Sequence, residues 1–314
     1  MFAKVENLTE KLIPNLKMYC FNTTLIGVLK GVADYFGMPL SNPWLFGGSG
    51  HAFLINIHEQ LCPSGPYCWN FETFLKLVRN LGIEITNLGF FSAKSTPEER
   101  RKVEATLRES IDAGTPCSLL NMENQLIAGY NDERFIVQQP WPMMDFPPKT
   151  LTFETWKELG DEVHIDFFTF AQREKASDEV IVKDSLNAAI DIARNPERWR
   201  QEHYYVGLQA YDAWIKAIED GFGASHGNWW NGTVWCECKQ MASGYFTEIA
   251  SKHRAKISKK AMELSNQYKD LAELLDKARD KQLASNEKIE VLQKARKTEA
   301  SCINEIEELL KILG

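Results

Sequence analysis

From Tyr245 to Leu313 the chain carries no proline and is rich in Lys, Glu, Ala and Leu. Apolar residues recur there at helical spacing with no breaker, so the stretch reads as two long antiparallel helices. Its sustained charge is a solvated face. The helical character extends back to about Ala176, broken by Gly221-Phe222-Gly223 and by the Trp-rich run Gly227-Asn228-Trp229-Trp230-Asn231-Gly232. Before Ala176 short strands and helices are interleaved. The expectation is an α+β chain: a mixed domain over residues 1–175, then an all-helical domain over 176–314.

In the first half, Leu25, Val28, Leu29, Val32 and Phe36 keep helical spacing, which predicts one amphipathic helix from about Cys20 to Phe36, stopped by Gly37. Ser41-Asn42-Pro43 opens a short second helix, which Phe46-Gly47-Gly48-Ser49-Gly50 breaks. His51 to His58 reads as a strand, Glu72 to Leu81 as a helix and Ile83 to Thr86 as a short strand. Thr96-Pro97-Glu98-Glu99 starts a helix that runs to Ala113: a capping hydroxyl, then proline, then acids. Cys117–Leu120, Gln125–Tyr130 and Phe135–Gln138 read as strands, the last two joined at Asn131-Asp132-Glu133-Arg134. A Pro-rich loop over 140–148 precedes a last strand at His164–Phe170.

The totals set limits on function. With 44% hydrophobic and 25% charged residues, the 314-residue chain has the balance of a soluble globular protein. A net charge of −7 argues against nucleic acid, whose phosphates call for a basic surface. No apolar run nears the roughly 20 residues of a membrane span. Met1–Asn7 lacks the basic-then-apolar order of a secretory leader, so a cytoplasmic protein is expected. The seven cysteines have no framework spacing, and the close pairs Cys62/Cys68 and Cys236/Cys238 lack zinc-knuckle spacing. Reduced thiols, no metal and no bound cofactor are expected.

Cys20 is the candidate nucleophile. A thiol at a helix start faces unpaired N–H groups and the positive end of the helix dipole, both of which favour thiolate. Such a thiolate can carry an acyl group. It needs an imidazole partner, and His51, at the end of the glycine-rich turn, is the first choice, with His164 second. Glu123, Asn131 and Asp145 are candidates to orient that imidazole. Asn131 suits the hairpin turn, and Glu123 is the choice because it immediately precedes a strand that should pack beside the site. The N–H groups of Cys20, Gly48, Ser49 or Gly50 could hold an oxyanion. Trp229, Trp230 and Trp235 could cover an acyl group, though they read better as helix-packing aromatics under a loop. Arg194, Arg198 and Arg200 form a basic cluster suited to an acidic partner.

Cys20 before the first helix, Leu45-Phe46-Gly47-Gly48-Ser49-Gly50 after the second, the hairpin Leu126-Ile127-Ala128-Gly129-Tyr130-Asn131-Asp132 and the run Tyr205–Trp214 together resemble the BtrH N-terminal-domain family. That family is related to the papain-like cysteine peptidases, and the resemblance covers nearly the whole chain. It implies a papain-like cysteine domain and acyl transfer from an acyl or peptidyl carrier protein to a small amine or diamine in natural-product assembly. The carrier's phosphopantetheine arm would then be part of the substrate. The family commonly has a His at the start of the hairpin and an Asp at its end. This chain carries Glu123-Asn124 and Gln138-Gln139 there. A cysteine hydrolase or peptidase using the same site, or a non-catalytic binding protein on the same scaffold, are the competing readings.

Overall fold

The computed structural model describes residues 10–161, 163–253 and 255–314. The Met1–Asn7 segment read for a leader lies outside the described residues. In chain order the elements are β1 (Lys11–Leu12), α1 (Thr24–Tyr35), α2 (Asn42–Gly48), β2 (Asn56–His58), α3 (Glu72–Asn80), β3 (Ile83–Ser92), α4 (Pro97–Asp112), β4 (Cys117–Asn121), β5 (Glu123–Tyr130), β6 (Arg134–Gln138), β7 (Thr150–Thr152), β8 (His164–Gln172), α5 (Asp178–Arg194), β9 (Tyr204–Val206), α6 (Leu208–Glu219), α7 (His226–Lys252), α8 (Ala255–Ala278) and α9 (Ser285–Leu313). The chain is α+β.

It divides into two compact units. The first takes residues up to Leu40 together with Ile83–Arg173, and the second takes Ser41–Gly82 and Glu174–Gly314. This is not the single cut expected near residue 175. Residues 41–82 find their apolar and backbone partners in the C-terminal half. A Cβ on Gly47 of α2 would sit 2.1 Å from the Tyr245 ring of α7, so only glycine lets the two helices touch there. β2 pairs antiparallel with β9, Asn56 opposite Val206 and His58 opposite Tyr204.

Among the described residues, the first unit holds a seven-stranded antiparallel sheet in the order β3-β8-β4-β5-β6-β7, with β1 on β5. β4 and β5 form a tight hairpin closed by Met122 at φ +56°, which sets Asn121 opposite Glu123. β5 is buried along nearly its whole length and α1 packs against it. The α4 start is as the sequence predicts: the Thr96 hydroxyl accepts from the Glu99 N–H at 3.2 Å, and the Glu99 carboxylate accepts from the Thr96 N–H at 2.7 Å.

The second unit is helical apart from β2 and β9. α7 packs on α8 and α8 on α9, with α2, α5 and α6 around them. Its core is aromatic, with Trp214, Trp235, Tyr211, Tyr245 and Tyr268 fully buried. Inside it Lys239 is wholly buried. Its ammonium lies 2.5 Å from the Glu299 carboxylate and donates to the carbonyls of Phe53 and Leu54. Among the described residues, no helix is long and apolar enough to cross a membrane.

Candidate active site

The segment that carries Cys20 is not helix. α1 begins at Thr24, and Thr23 at its N-cap holds φ −79° and ψ 79°. Asn22 and Thr23 favour turns because their side chains compete for backbone groups. The Thr24 N–H bonds back to the Asn22 carbonyl, and the helical bonds start from the Thr23 carbonyl. Cys20 therefore lies ahead of the helix and not on its first turn, and the dipole argument loses its closest geometry. The thiol is free and exposed.

What fixes Cys20 is the strand-like run before it. Lys17 to Tyr19 lies against α1 at two glycines. A Cβ on Gly31 would fall 2.1 Å from the Lys17 carbonyl oxygen, and one on Gly27 2.5 Å from the Tyr19 carbonyl oxygen. The helix is thus bare where the chain crosses it. From the other side Gln138, at the end of β6, grips the run by both ends of its amide. Its Oε1 accepts from the Met18 N–H at 2.6 Å and its Nε2 donates to the Leu16 carbonyl at 2.9 Å. The Tyr19 hydroxyl donates to Asp34 on α1, which Lys30 also engages. The carboxylate of Asp34 is nonetheless partly buried; bonds from Lys30 and Tyr19 hold its pKa below the ordinary value against that burial.

Glu123 stands in the same unit. It is buried at the tight β4–β5 turn, and its Oε2 accepts from the Thr24 hydroxyl at 2.8 Å. The Thr24 oxygen in turn accepts from the Asn124 N–H at 3.1 Å. A buried carboxylate is thus tied directly to the first turn of α1, four residues beyond Cys20. His164 is exposed at the head of β8, and its carbonyl accepts from the Asn121 side chain at 3.1 Å. Asn131 serves its turn, as the sequence suggests: its Oδ1 accepts from the N–H groups of Glu133 and Arg134.

No family model matches this chain, and no curated protein does.

His51 belongs to the second unit and is 2% exposed. It opens a short 3-10 turn, His51–Phe53, where the sequence reads as strand. The reason is Gly50, whose φ of +77° turns the chain before it can extend. The rings of Trp69, Phe74, Trp235 and Phe46 surround the imidazole at centroid distances of 5.6 to 6.5 Å. Its Nδ1 lies 3.5 Å from the Cys238 sulfur, and its Nε2 is buried without a hydrogen-bond partner. Burial, with the Lys239 charge adding to it, pushes the imidazole pKa down to about 3. An imidazole so placed is a packed ring and a very weak base.

The glycine-rich turn holds no free oxyanion donors at Ser49 or Gly50, whose N–H groups bond to the Leu45 and Gly47 carbonyls. Trp229 and Trp230 lie on α7 and not in a loop, and Trp235 is core. Arg194, Arg198 and Arg200 each face a carboxylate, Glu307, Asp191 and Glu197 respectively, which neutralises the expected basic patch. Among the described residues there is no group of three or more His, Cys, Asp or Glu able to hold a metal ion. Sequence reasoning missed Gln138, Gly27 and Gly31. The Gly27-x-x-x-Gly31 spacing was the available signal, since it bares one stripe of a helix to a close neighbour.

Proposed function

We propose that the protein is a cysteine-dependent acyltransferase whose first unit is a papain-like domain, with Cys20 as nucleophile. The observation that carries this reading is an exposed free thiol at the end of a pinned segment, ahead of a helix whose first turn is bonded to a buried carboxylate. The Cys20 sulfur attacks the carbonyl of a carrier-protein thioester. A bond from that carbon to Cys20 forms, the bond to the pantetheine sulfur breaks, and the leaving thiol takes the proton that Cys20 gives up. A small amine then attacks the acyl-Cys20 carbonyl, the carbon–nitrogen bond forms, and the amine proton returns to the Cys20 sulfur. We assign Glu123, not His51, as the group that handles this proton. Its support is membership of the same unit as Cys20 and its bond to α1, against an imidazole enclosed by rings.

Intact-protein mass spectrometry with acyl-thioester surrogates tests the reading. Wild type gains the acyl mass and Cys20→Ala does not. Added diamine discharges the adduct to an amide, and Glu123→Gln acylates but discharges slowly. Release of free acid at a rate indifferent to amine would make the protein a hydrolase instead. A second reading is favoured by the burial of His51: a binding protein on the same scaffold, with no imidazole serving Cys20. A Cys20 that neither acylates nor reacts with small alkylating agents would decide for it.

A further inference from the structure

Cys62 and Cys68 lie in the second unit, on the turn between β2 and α3, and both thiols are free and part-exposed. Pro63 and Pro66 fix φ at two positions of this turn. The Cys68 N–H bonds to the Ser64 carbonyl at 3.2 Å and the Gly65 N–H to the Cys62 carbonyl at 3.4 Å, so the chain folds back on itself between the two cysteines. Two asparagines hold it there. The Asn56 Nδ2 donates to the carbonyls of Gly65 and Cys68 at 2.7 and 2.9 Å, and the Asn231 Nδ2 donates to that of Cys62 at 3.0 Å. The other close pair, Cys236 and Cys238, is two positions apart on α7, where side chains do not face each other.

The side chains between the two sulfurs form a directed chain. The Ser64 hydroxyl donates its one proton to the Cys62 sulfur at 2.8 Å, so at its 2.8 Å contact with the Tyr204 hydroxyl, Tyr204 is the donor. The Tyr204 oxygen also bonds the Cys68 thiol, which then supplies the proton. Burial, with the Cys68 thiol adding to it, holds the Tyr204 phenol above its ordinary value, so it stays a neutral hydroxyl. Cys62 thus ends the chain as acceptor, with a donor in place for negative charge on its sulfur. Cys68 begins the chain, with its proton directed at Tyr204.

We propose that Cys62 and Cys68 are a redox pair that reacts with low-molecular-weight disulfides, Cys62 attacking and Cys68 resolving. The Cys62 sulfur attacks one sulfur of the small disulfide. A new S–S bond forms, the old one breaks, and the leaving half takes up the proton that Cys62 gives up. The Cys68 sulfur then attacks the Cys62 sulfur, the Cys62–Cys68 bond forms, and the second half leaves with the Cys68 proton. Two electrons pass from the pair to the small disulfide, which ends as two thiols. The product replaces the Ser64 and Tyr204 bonds to sulfur by a covalent closure of the turn. This chemistry is independent of Cys20, which lies in the first unit.

Treatment of the full chain with glutathione disulfide, read by peptide mass spectrometry without reductant, tests it. In wild type the peptide that holds both cysteines loses two hydrogens and carries no glutathione, whereas exposed Cys20 keeps a glutathione adduct. Dithiothreitol reverses both changes. Cys68→Ser traps glutathione on Cys62, and Cys62→Ser leaves Cys68 unlabelled over the same time. Oxidised wild type unfolds at a higher urea midpoint than reduced, because the bond restricts the unfolded turn. Wild type that retains glutathione on Cys62 or Cys68, or that leaves both as thiols while Cys20 is labelled, overturns the pair. Both of those results come from the unaltered chain and stand even if a variant fails to fold. Glutathione trapped on Cys68 and not on Cys62 in the single variants overturns the order of attack.

Discussion

Gly31→Ala places one methyl group where the chain leading to Cys20 crosses α1. The new carbon would lie 2.1 Å from the Lys17 carbonyl oxygen and 2.8 Å from the Leu126 Cδ1. Leu126 can turn aside, but the carbonyl belongs to the backbone and must retreat by at least roughly 1.3 Å to reach ordinary contact. That retreat is opposed by the two Gln138 bonds to Met18 and Leu16. Overpacking of this kind costs about 1–3 kcal/mol, and each Gln138 bond lost adds about 1 kcal/mol. Alanine returns about 1 kcal/mol as the better helix former. The expected result is a net loss of about 1–3 kcal/mol, read as a lower urea midpoint. The rate of Cys20 alkylation by a maleimide changes with it, because the same run sets the position of the thiol. If Gly31→Ala instead raises stability by about 1 kcal/mol, with the alkylation rate untouched, the run does not rest on α1 and the account of how Cys20 is held is wrong.

Three further outcomes are expected. The unfolded chain protonates His51 below about pH 6.5 while the folded one resists to about pH 3, so stability falls as pH drops across that window; at pH 5 the loss is about 2 kcal/mol, and urea midpoints at pH 7 and 5 should show it in wild type but not in His51→Phe. Glu299→Gln leaves the Lys239 ammonium without its counter-charge in the core and lowers stability by about 3–5 kcal/mol, whereas Lys239→Met/Glu299→Leu recovers most of it; a double variant as unstable as the single one would contradict the pairing. In a timed alkylation followed by peptide mass spectrometry, Cys20 labels first, and Cys117, buried and with its thiol pushed up to about 12, labels only in denaturant; equal rates at the two would show that the buried thiol is not enclosed.

The elements that could be read from sequence are those whose signals are local. Thr96 and Glu99, Ser41 before Pro43, and the Asn131 turn each declare themselves through the backbone groups they bond. Errors arose where a residue's meaning lay in a distant partner. Gly227 and Gly232 look like loop residues, yet both lie inside α7. A Cβ on Gly227 would meet the Leu61 carbonyl oxygen at 1.6 Å, so it is glycine for proximity and not for turning. His51 sits at a turn end, where functional residues often gather. Its burial is decided by Trp69, Phe74 and Trp235, which no spacing rule connects to it. The helix expected from Cys20 starts four residues later, at Thr24, because Asn22 and Thr23 turn the backbone first.

Gln138 stands near the hairpin end where the family resemblance implies an aspartate. Its side chain behaves as an inserted peptide unit, giving a proton to one residue and taking one from a residue two further on. A carboxylate has only acceptors at neutral pH, and an asparagine is one methylene short of the same reach. Gln138→Glu would therefore not keep this grip. It would leave the Leu16 carbonyl without its donor and release the run that ends in Cys20. At this corner of the hairpin the amide is an anchor, and any acid placed there would have to be preceded by a new hold on that run.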